Sequence, residues 1–172
     1  MRNLIKNVSL IFVFIIISTL VSCQSEEKNK NERAKISPEV KQEIINLFQT
    51  NESLHSSFFD YNAEQVEKSA LELKMVISKI KSEQVNKILL NSVNLLSEIK
   101  AINEREQNNI TYHKISLELI TLLKSIDLGS IYNAYSCPMV KKKWVQNSQK
   151  KKRVHNPYDP SMPYCGAQDT RY

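Results

Sequence analysis

The sequence predicts an all-α fold, an antiparallel four-helix bundle followed by an irregular C-terminal extension that carries cysteine, proline and tyrosine. Three observations point to it. The 172 residues include only two glycines, whereas sheet-rich folds draw on glycine for tight turns. Between residues 37 and 126, apolar side chains recur at helical spacing in four stretches. The links between those stretches are short and polar, which suits helices that run antiparallel to their neighbours.

Ahead of the bundle lies a targeting pattern. Arg2 and Lys6 give a positive start, Leu10 to Leu20 is apolar except for Ser18 and Thr19, and Leu20-Val21-Ser22 leads into Cys23. Basic, then apolar, then small is the order of a secretory signal. A cysteine at the cut resembles a lipobox, in which the thiol is acylated before cleavage. An uncleaved membrane helix is the alternative, but it needs about 20 apolar residues and this run is shorter. Residues 1–22 are therefore expected to leave as a lipoprotein signal peptide. Cys23 becomes the lipidated, palmitate-bearing N-terminus, and the polar residues 23–36 form a flexible tether. Gln24 is not the aspartate associated with inner-membrane retention, and Glu26-Glu27 resembles a surface-export signal. The outer membrane, on its periplasmic or surface face, is thus the expected location.

Residues 37–172 are one domain's worth of chain, long enough to bury a core without relying on disulfides. Ser37-Pro38-Glu39 has a hydroxyl cap, a proline at the first helical position and an acid in the first turn. Val40, Ile44, Leu47, Phe48, Leu54 and Phe58 then carry a first helix to about Asp60. Asn62-Ala63-Glu64-Gln65 has the form of a capping box, and Val66, Ala70, Leu73, Ile77 and Ile80 supply the second stripe. Ser82 caps a third helix with Val85, Leu89, Leu96, Ile99 and Ile102 inward. A fourth starts near Asn103 or Glu104 and runs to about Ile126, with Ile110, Leu117, Ile120 and Leu123 inward.

From Ile131 onward the character changes. This stretch holds four of the five prolines, the only tryptophan and five of the seven tyrosines. Prolines at 138, 157, 160 and 163 forbid a fifth regular helix, while Trp144 and the tyrosines offer large surfaces to bury. An ordered, irregular extension folded on the bundle is expected.

That extension holds the chemistry. After Cys23 the only cysteines are Cys137 and Cys165, in Cys137-Pro138-Met139 and Met162-Pro163-Tyr164-Cys165. Alternate residues of an extended segment point the same way, so Cys137 and Met139 can approach one centre. Two thiolates and two thioethers make a soft sulfur set suited to Cu(I), and less specifically to Ag(I) or Zn(II). The other reading of the same residues is a Cys137–Cys165 disulfide, ordinary for an exported domain, with the methionines as packing residues. His155 is a candidate nitrogen ligand or simply loop surface. His113 lies on the inward face of the fourth stretch and reads as a satisfied core or boundary histidine, the alternative being that it faces the extension, and His55 has no partner visible in sequence.

Charge is unevenly spread. Once Arg2 and Lys6 have left with the signal, the mature chain has 22 basic and 18 acidic side chains, a net +4. Lys141, Lys142, Lys143, Lys150, Lys151, Lys152 and Arg153 contribute +7 with no acid among them. That run is either a solvated segment or a contact for anionic headgroups. It would also favour the thiolate form of a nearby cysteine. Nucleic acid is excluded as a partner by the compartment. No nucleophile–base–orienter set, glycine-rich phosphate loop, HExxH, CxxC or carboxylate dyad occurs, so no catalytic residues are assigned and an enzyme is not expected.

Tyr135-Ser136-Cys137-Pro138-Met139, Trp144, Asn156-Pro157-Tyr158, and Met162 with Cys165-Gly166, five elements in order, resemble the signature of domain of unknown function 3347. The likeness covers about residues 40–166, strongly in the extension and weakly in the helices, where Arg105, Tyr112 and Ser116 match. Between Met139 and Trp144 this chain has lysines where that family usually has small residues, and His155 and Asp159-Pro160 also depart from the pattern. That family occurs as lipoproteins and as an appendage of periplasmic adaptors in heavy-metal efflux pumps. The resemblance implies that Cys137, Met139, Met162 and Cys165 form a soft-metal site, with Trp144, Asn156, Pro157 and Tyr158 as the scaffold presenting it. It also implies an efflux-pump adaptor or other envelope protein as partner. Two functions are expected from this sequence: a lipid-anchored protein that handles Cu(I) or a similar ion, or a disulfide-bonded lipoprotein that docks a partner.

Overall fold

The computed structural model describes residues 33–172; the expected signal peptide, the expected lipidation at Cys23 and the expected tether up to residue 32 fall outside the described residues. The helix starts follow the capping chemistry. Ser37 Oγ accepts from Val40 N at 3.4 Å and opens α1, Pro38–Phe59. Asn62 Oδ1 accepts from Gln65 N at 2.9 Å and opens α2, Ala63–Ser78. Ser82 Oγ accepts from Val85 N and opens α3, Glu83–Ile88. Each cap satisfies a donor that the first helical turn would leave unpaired.

The third predicted helix is in fact two. α3 ends at Ile88, and α4, Ser92–Glu98, follows after a turn. The cause is a carboxylate from another element. Glu118 takes Asn91 Nδ2 at 2.8 Å, Ser92 N at 3.0 Å and Ser92 Oγ at 2.6 Å, so the donors at this point bond sideways rather than along a continuous helix. Ile102, expected inward, lies beyond the end of α4 and is almost fully exposed. α5 spans Arg105–Ser125, as its boundaries in the sequence suggested, but Ile110 and Leu117 face solvent. Its buried face includes Asn108, Asn109, Thr111, Tyr112, Ile115, Ser116, Leu119 and Leu122.

That broad burial has a reason that corrects the predicted fold class. The domain is not all-α. Residues 132–168 form a three-stranded antiparallel sheet of β1 (Tyr132–Cys137), β2 (Lys142–Asn147) and β3 (Ala167–Gln168), in the order β2-β1-β3. α5 is covered by α4 on one side and by β1 and β2 on another, so polar residues fill positions that a two-layer bundle would leave wet. α1 packs on α2, and α2 on α4. The predicted irregular extension is therefore a mixed module with a regular hairpin at its centre.

Glycine shortage misled the expectation because the hairpin turn needs none. β1 and β2 pair from Tyr132↔Asn147 to Cys137↔Lys142, and residues 138–141 close the loop. The left-handed residue in that loop is Lys141, with φ 54°, a conformation that glycine normally supplies.

The tether also ends earlier than expected. Ala34 N donates to Ser125 O at 2.9 Å, and Asp127 N donates back to Ala34 O. The Arg33 guanidinium pairs with Asp127 at 3.0 Å and lies 3.9 Å from the ring centre of Tyr172. Residues 33–36 are thus part of the folded domain, attached where α5 ends. Among the described residues no helix is long and apolar enough to cross a membrane.

Candidate functional site

The C-terminal module is built around Trp144, which is fully buried. Tyr135 stacks on it with ring centres 6.1 Å apart, and Tyr158 meets it edge-on at the same separation. Its cross-strand partner in the β1–β2 register is Tyr135. Aromatic pairs of this kind contribute beyond their buried area.

Cys137 ends β1 and is 1% exposed; Cys165 precedes β3. The two form a disulfide with Cα atoms 5.6 Å apart. Reaching that distance depends on the Asn156-Pro157-Tyr158 turn. Asn156 N donates to Pro163 O at 2.8 Å, Asn156 Nδ2 donates to Met162 O at 3.1 Å, and Asn156 Oδ1 accepts from Tyr158 N. Cys165 N then donates to Met162 O. One asparagine side chain thereby fixes the segment that delivers Cys165 to Cys137. Tyr158 anchors the same turn to the rest of the domain: its hydroxyl donates to Lys143 O at 2.8 Å and lies 3.2 Å from Ser116 Oγ, while Asn109 Nδ2 donates to its carbonyl. Burial pushes its pKa well above the ordinary phenol value, so it remains a donor across the physiological range.

Gly166 is required next to this bond. Its φ is +140°, and a Cβ placed there would lie 2.7 Å from Ser136 O and 2.9 Å from Trp144 Cη2. Gly166→Ala is expected to cost about 2–3 kcal/mol through backbone strain and displacement of strand and ring. Urea unfolding checks this, and an unchanged midpoint would contradict the packing described.

Of the four predicted sulfur ligands, the structure brings Cys137 and Cys165 together, as each other's partner. Met139 sits on the hairpin turn and is 69% exposed. Met162 is half-buried, and its backbone carbonyl is the part the clamp uses. His155 stacks on Phe59 at 4.5 Å and has no partner at Nδ1. Burial, then Lys151, lower its pKa, with Asp60 opposing, so its ring is neutral at pH 7. Among the described residues no group of three or more His, Cys, Asp and Glu side chains could hold a metal ion. Trp144, Asn156, Pro157 and Tyr158 do act as a scaffold, and what they position is the crosslink.

Four of the run's six lysines have side-chain partners, while Lys141 and Lys152 are exposed. Lys142 pairs with Glu106 at 2.8 Å, Lys143 with Asp169 at 3.3 Å and Lys150 with Glu52 at 3.0 Å, while Lys151 Nζ donates to Ser56 Oγ. A sequence-distant acid faces each of the first three, which a local charge count misses. His113 does face the extension: its Nδ1 accepts from Lys143 N at 3.1 Å, and burial lowers its pKa.

Two organising residues carried no signal in the sequence. Gln146 Nε2 donates to Arg153 O at 2.7 Å and to Lys151 O, and its Oε1 accepts from His155 N, so it holds the whole basic loop. Glu52 of α1 accepts from Tyr132 Oη, Asn147 Nδ2 and Lys150 Nζ. Burial pushes its carboxyl up, but those hydrogen bonds outweigh the burial and hold it below the ordinary range. A charged acceptor with three donors is a strong join between the first helix and the sheet.

A scan against protein-family models matched none, and searches of curated proteins and of solved structures returned no match.

Proposed function

We propose that this chain is a lipid-anchored protein of the cell envelope, held by an acylated Cys23, that acts through binding rather than catalysis. Its C-terminal module is closed by the Cys137–Cys165 disulfide and presents a rigid face to an envelope partner such as an efflux-pump adaptor. One observation carries this reading: the two cysteines are already satisfied by each other, 28 residues apart in sequence, inside a module whose polar groups are spent on holding them. A crosslinked export domain fits the redox state outside the cytoplasm. The targeting pattern of residues 1–23 and the resemblance to domain of unknown function 3347 support the location and the kind of partner.

A second reading is favoured by the exposed thioether of Met139, two residues from Cys137. Reduction of the disulfide would free two thiols beside Met139 and Met162, a donor set for Cu(I) or a similar soft ion, with His155 as a neutral additional ligand. A thiol count on the purified protein, followed by anaerobic Cu(I) titration against a competing chelator with and without reductant, separates the two. The docking reading expects no free thiols and no Cu(I) uptake in either state. Uptake after reduction, weakened by Met139→Leu with Met162→Leu, supports metal handling and displaces it.

A further inference from the structure

The end of the domain where the tether attaches has a composition of its own. Arg33 and Ala34 are bound at the end of α5, by Asp127 and Ser125. The same end holds the start of α1 and the last turn of α2, because Lys81 N donates to Glu43. It also holds α3, because α4 runs antiparallel to α5, with Ser92 at Glu118 and Lys100 at Asn108. Between α2 and the α3–α4 turn lies an open groove of about 250 Å³, lined by Ile77, Leu89, Leu90 and Val93 with Ser78 and Asn86. Leu90 projects at its edge, 71% exposed. Lys79 and Lys87 follow the lining residues Ser78 and Asn86 in sequence, and Lys81, Lys35 and Lys124 are exposed at the same end of the domain. The acids at this end are Asp127, paired with Arg33, then Glu43 and Glu118, which accept the Lys81 and Ser92 amides and keep their charge, and Glu39 and Glu83, so the basic side chains outnumber them only modestly.

We infer that this end is a membrane-docking face, in which Leu90 enters the headgroup boundary of an anionic bilayer and the lysines contact its phosphates. The inference rests on the lipid anchor proposed above. Chain length then selects the occupant. Only nine residues lie between Cys23 and Arg33, and the ten Cα-to-Cα steps, at about 3.5 Å each, reach about 35 Å at full extension. This end therefore never leaves the vicinity of the bilayer to which Cys23 is fixed. One exposed apolar side chain with exposed lysines at the same end of the domain matches what an anionic interface takes up.

The test uses the full protein, processed in its own membrane, then reconstituted into vesicles with brominated acyl chains. One set is neutral phosphatidylcholine and the other contains one-third phosphatidylglycerol. Leu90→Trp places a reporter at the groove, and Trp144, fully buried, gives the background. The expected result is bromine quenching of the new tryptophan in anionic vesicles but not in neutral ones. Each lysine removed should lower the docked-to-undocked ratio about fivefold. Lys79→Gln, Lys81→Gln and Lys87→Gln together should then lower it about a hundredfold. Mass spectrometry of Cys23 reads the anchor separately, and a chain without acyl groups overturns the anchor and this inference with it. An acylated chain that stays on the vesicles without quenching, or is quenched equally in both, overturns the docking face alone. So does a dimer in detergent that Leu90→Glu dissociates, since it assigns the groove to a second copy.

Discussion

Reducing the Cys137–Cys165 bond is expected to lower the stability of the folded domain by about 3.5 kcal/mol, with both thiols then remaining near each other in the native state. The bond closes a loop spanning 28 residues, and in the chain-entropy model a loop of that length constrains the unfolded chain by this amount. The native side of the balance changes less. Cys137 is buried among apolar neighbours, where a free thiol packs as a small hydrophobe. Cys165 is still held through Met162 and Asn156, and Gly166 through the pairing of β3 with β1. The effect should therefore show as a lower urea midpoint, with a modest rise in denaturant slope because the unfolded chain expands further. The double variant Cys137→Ser, Cys165→Ser is the control: it should resemble the reduced protein and should not respond to reductant. A midpoint unmoved by reductant would mean that the module is not held by this bond.

How far the sequence revealed the structure depended on whether the determining contact was local. The caps at Ser37, Asn62 and Ser82 act across three residues, and the helices they open begin where the sequence placed them. The limits of α5 were legible for the same reason. Glu118 is a counter-example: it breaks the third stretch at Asn91 and Ser92 from 26 or 27 residues away, so apolar periodicity runs straight through the break. The sheet was hidden in two ways. β1 buries both of its faces, so Tyr132-Asn133-Ala134-Tyr135 shows no alternation of polar and apolar residues. Its turn uses Lys141 in place of the glycine that would have announced a hairpin.

The candidate site divides along the same line. That the two cysteines could meet, as a disulfide or as part of a soft-metal site, was legible from their flanking prolines and from the export that residues 1–23 lead one to expect. That Asn156 brings them together was implied only by the family resemblance, since its partners Met162 O and Pro163 O are backbone groups with no residue signature. Gln146 and Glu52 were invisible because each serves several distant partners, and neither sits in a motif. Three of the six lysines that read as a free charge run are paired by Glu106, Asp169 and Glu52, all contributed from elsewhere in the chain.

Acid should destabilise this domain well before its carboxylates titrate, and His55 is the reason. The side chain leaves α1 toward the sheet and is 3% exposed, and neither ring nitrogen makes a hydrogen bond of good geometry, the backbone of His155 and Val145 lying nearest. It borders a cavity of about 10 Å³ shared with Glu52, Val145, Gln146, Asn147 and Lys151. Burial, followed by repulsion from Lys151 and from His155 once that ring is protonated, lowers its pKa to about 3, against an opposing pull from the backbone of His155 and Val145. In the unfolded chain a histidine takes up its proton near pH 6.5. The folded pKa is depressed, so between these values the unfolded state binds more protons and stability rises with pH. The contribution is complete above about pH 6.5 and is lost as pH falls toward 3. At pH 5, still above the ordinary carboxylate range, the loss relative to pH 7 is about 2 kcal/mol from this residue alone. His113 and His155 have lowered pKa values as well and add to the slope with the same sign. The measurement is therefore a comparison between chains. Urea unfolding at pH 7 and pH 5 is expected to give the wild type the larger loss, and His55→Leu a loss smaller by about 2 kcal/mol. At pH 7 the variant should be as stable as the wild type or more so, because it replaces a buried polar group lacking partners. If His55→Leu retained the full acid sensitivity, the imidazole would have to be partnered or hydrated in the fold, and the join between α1 and the sheet would be wetter than its geometry indicates.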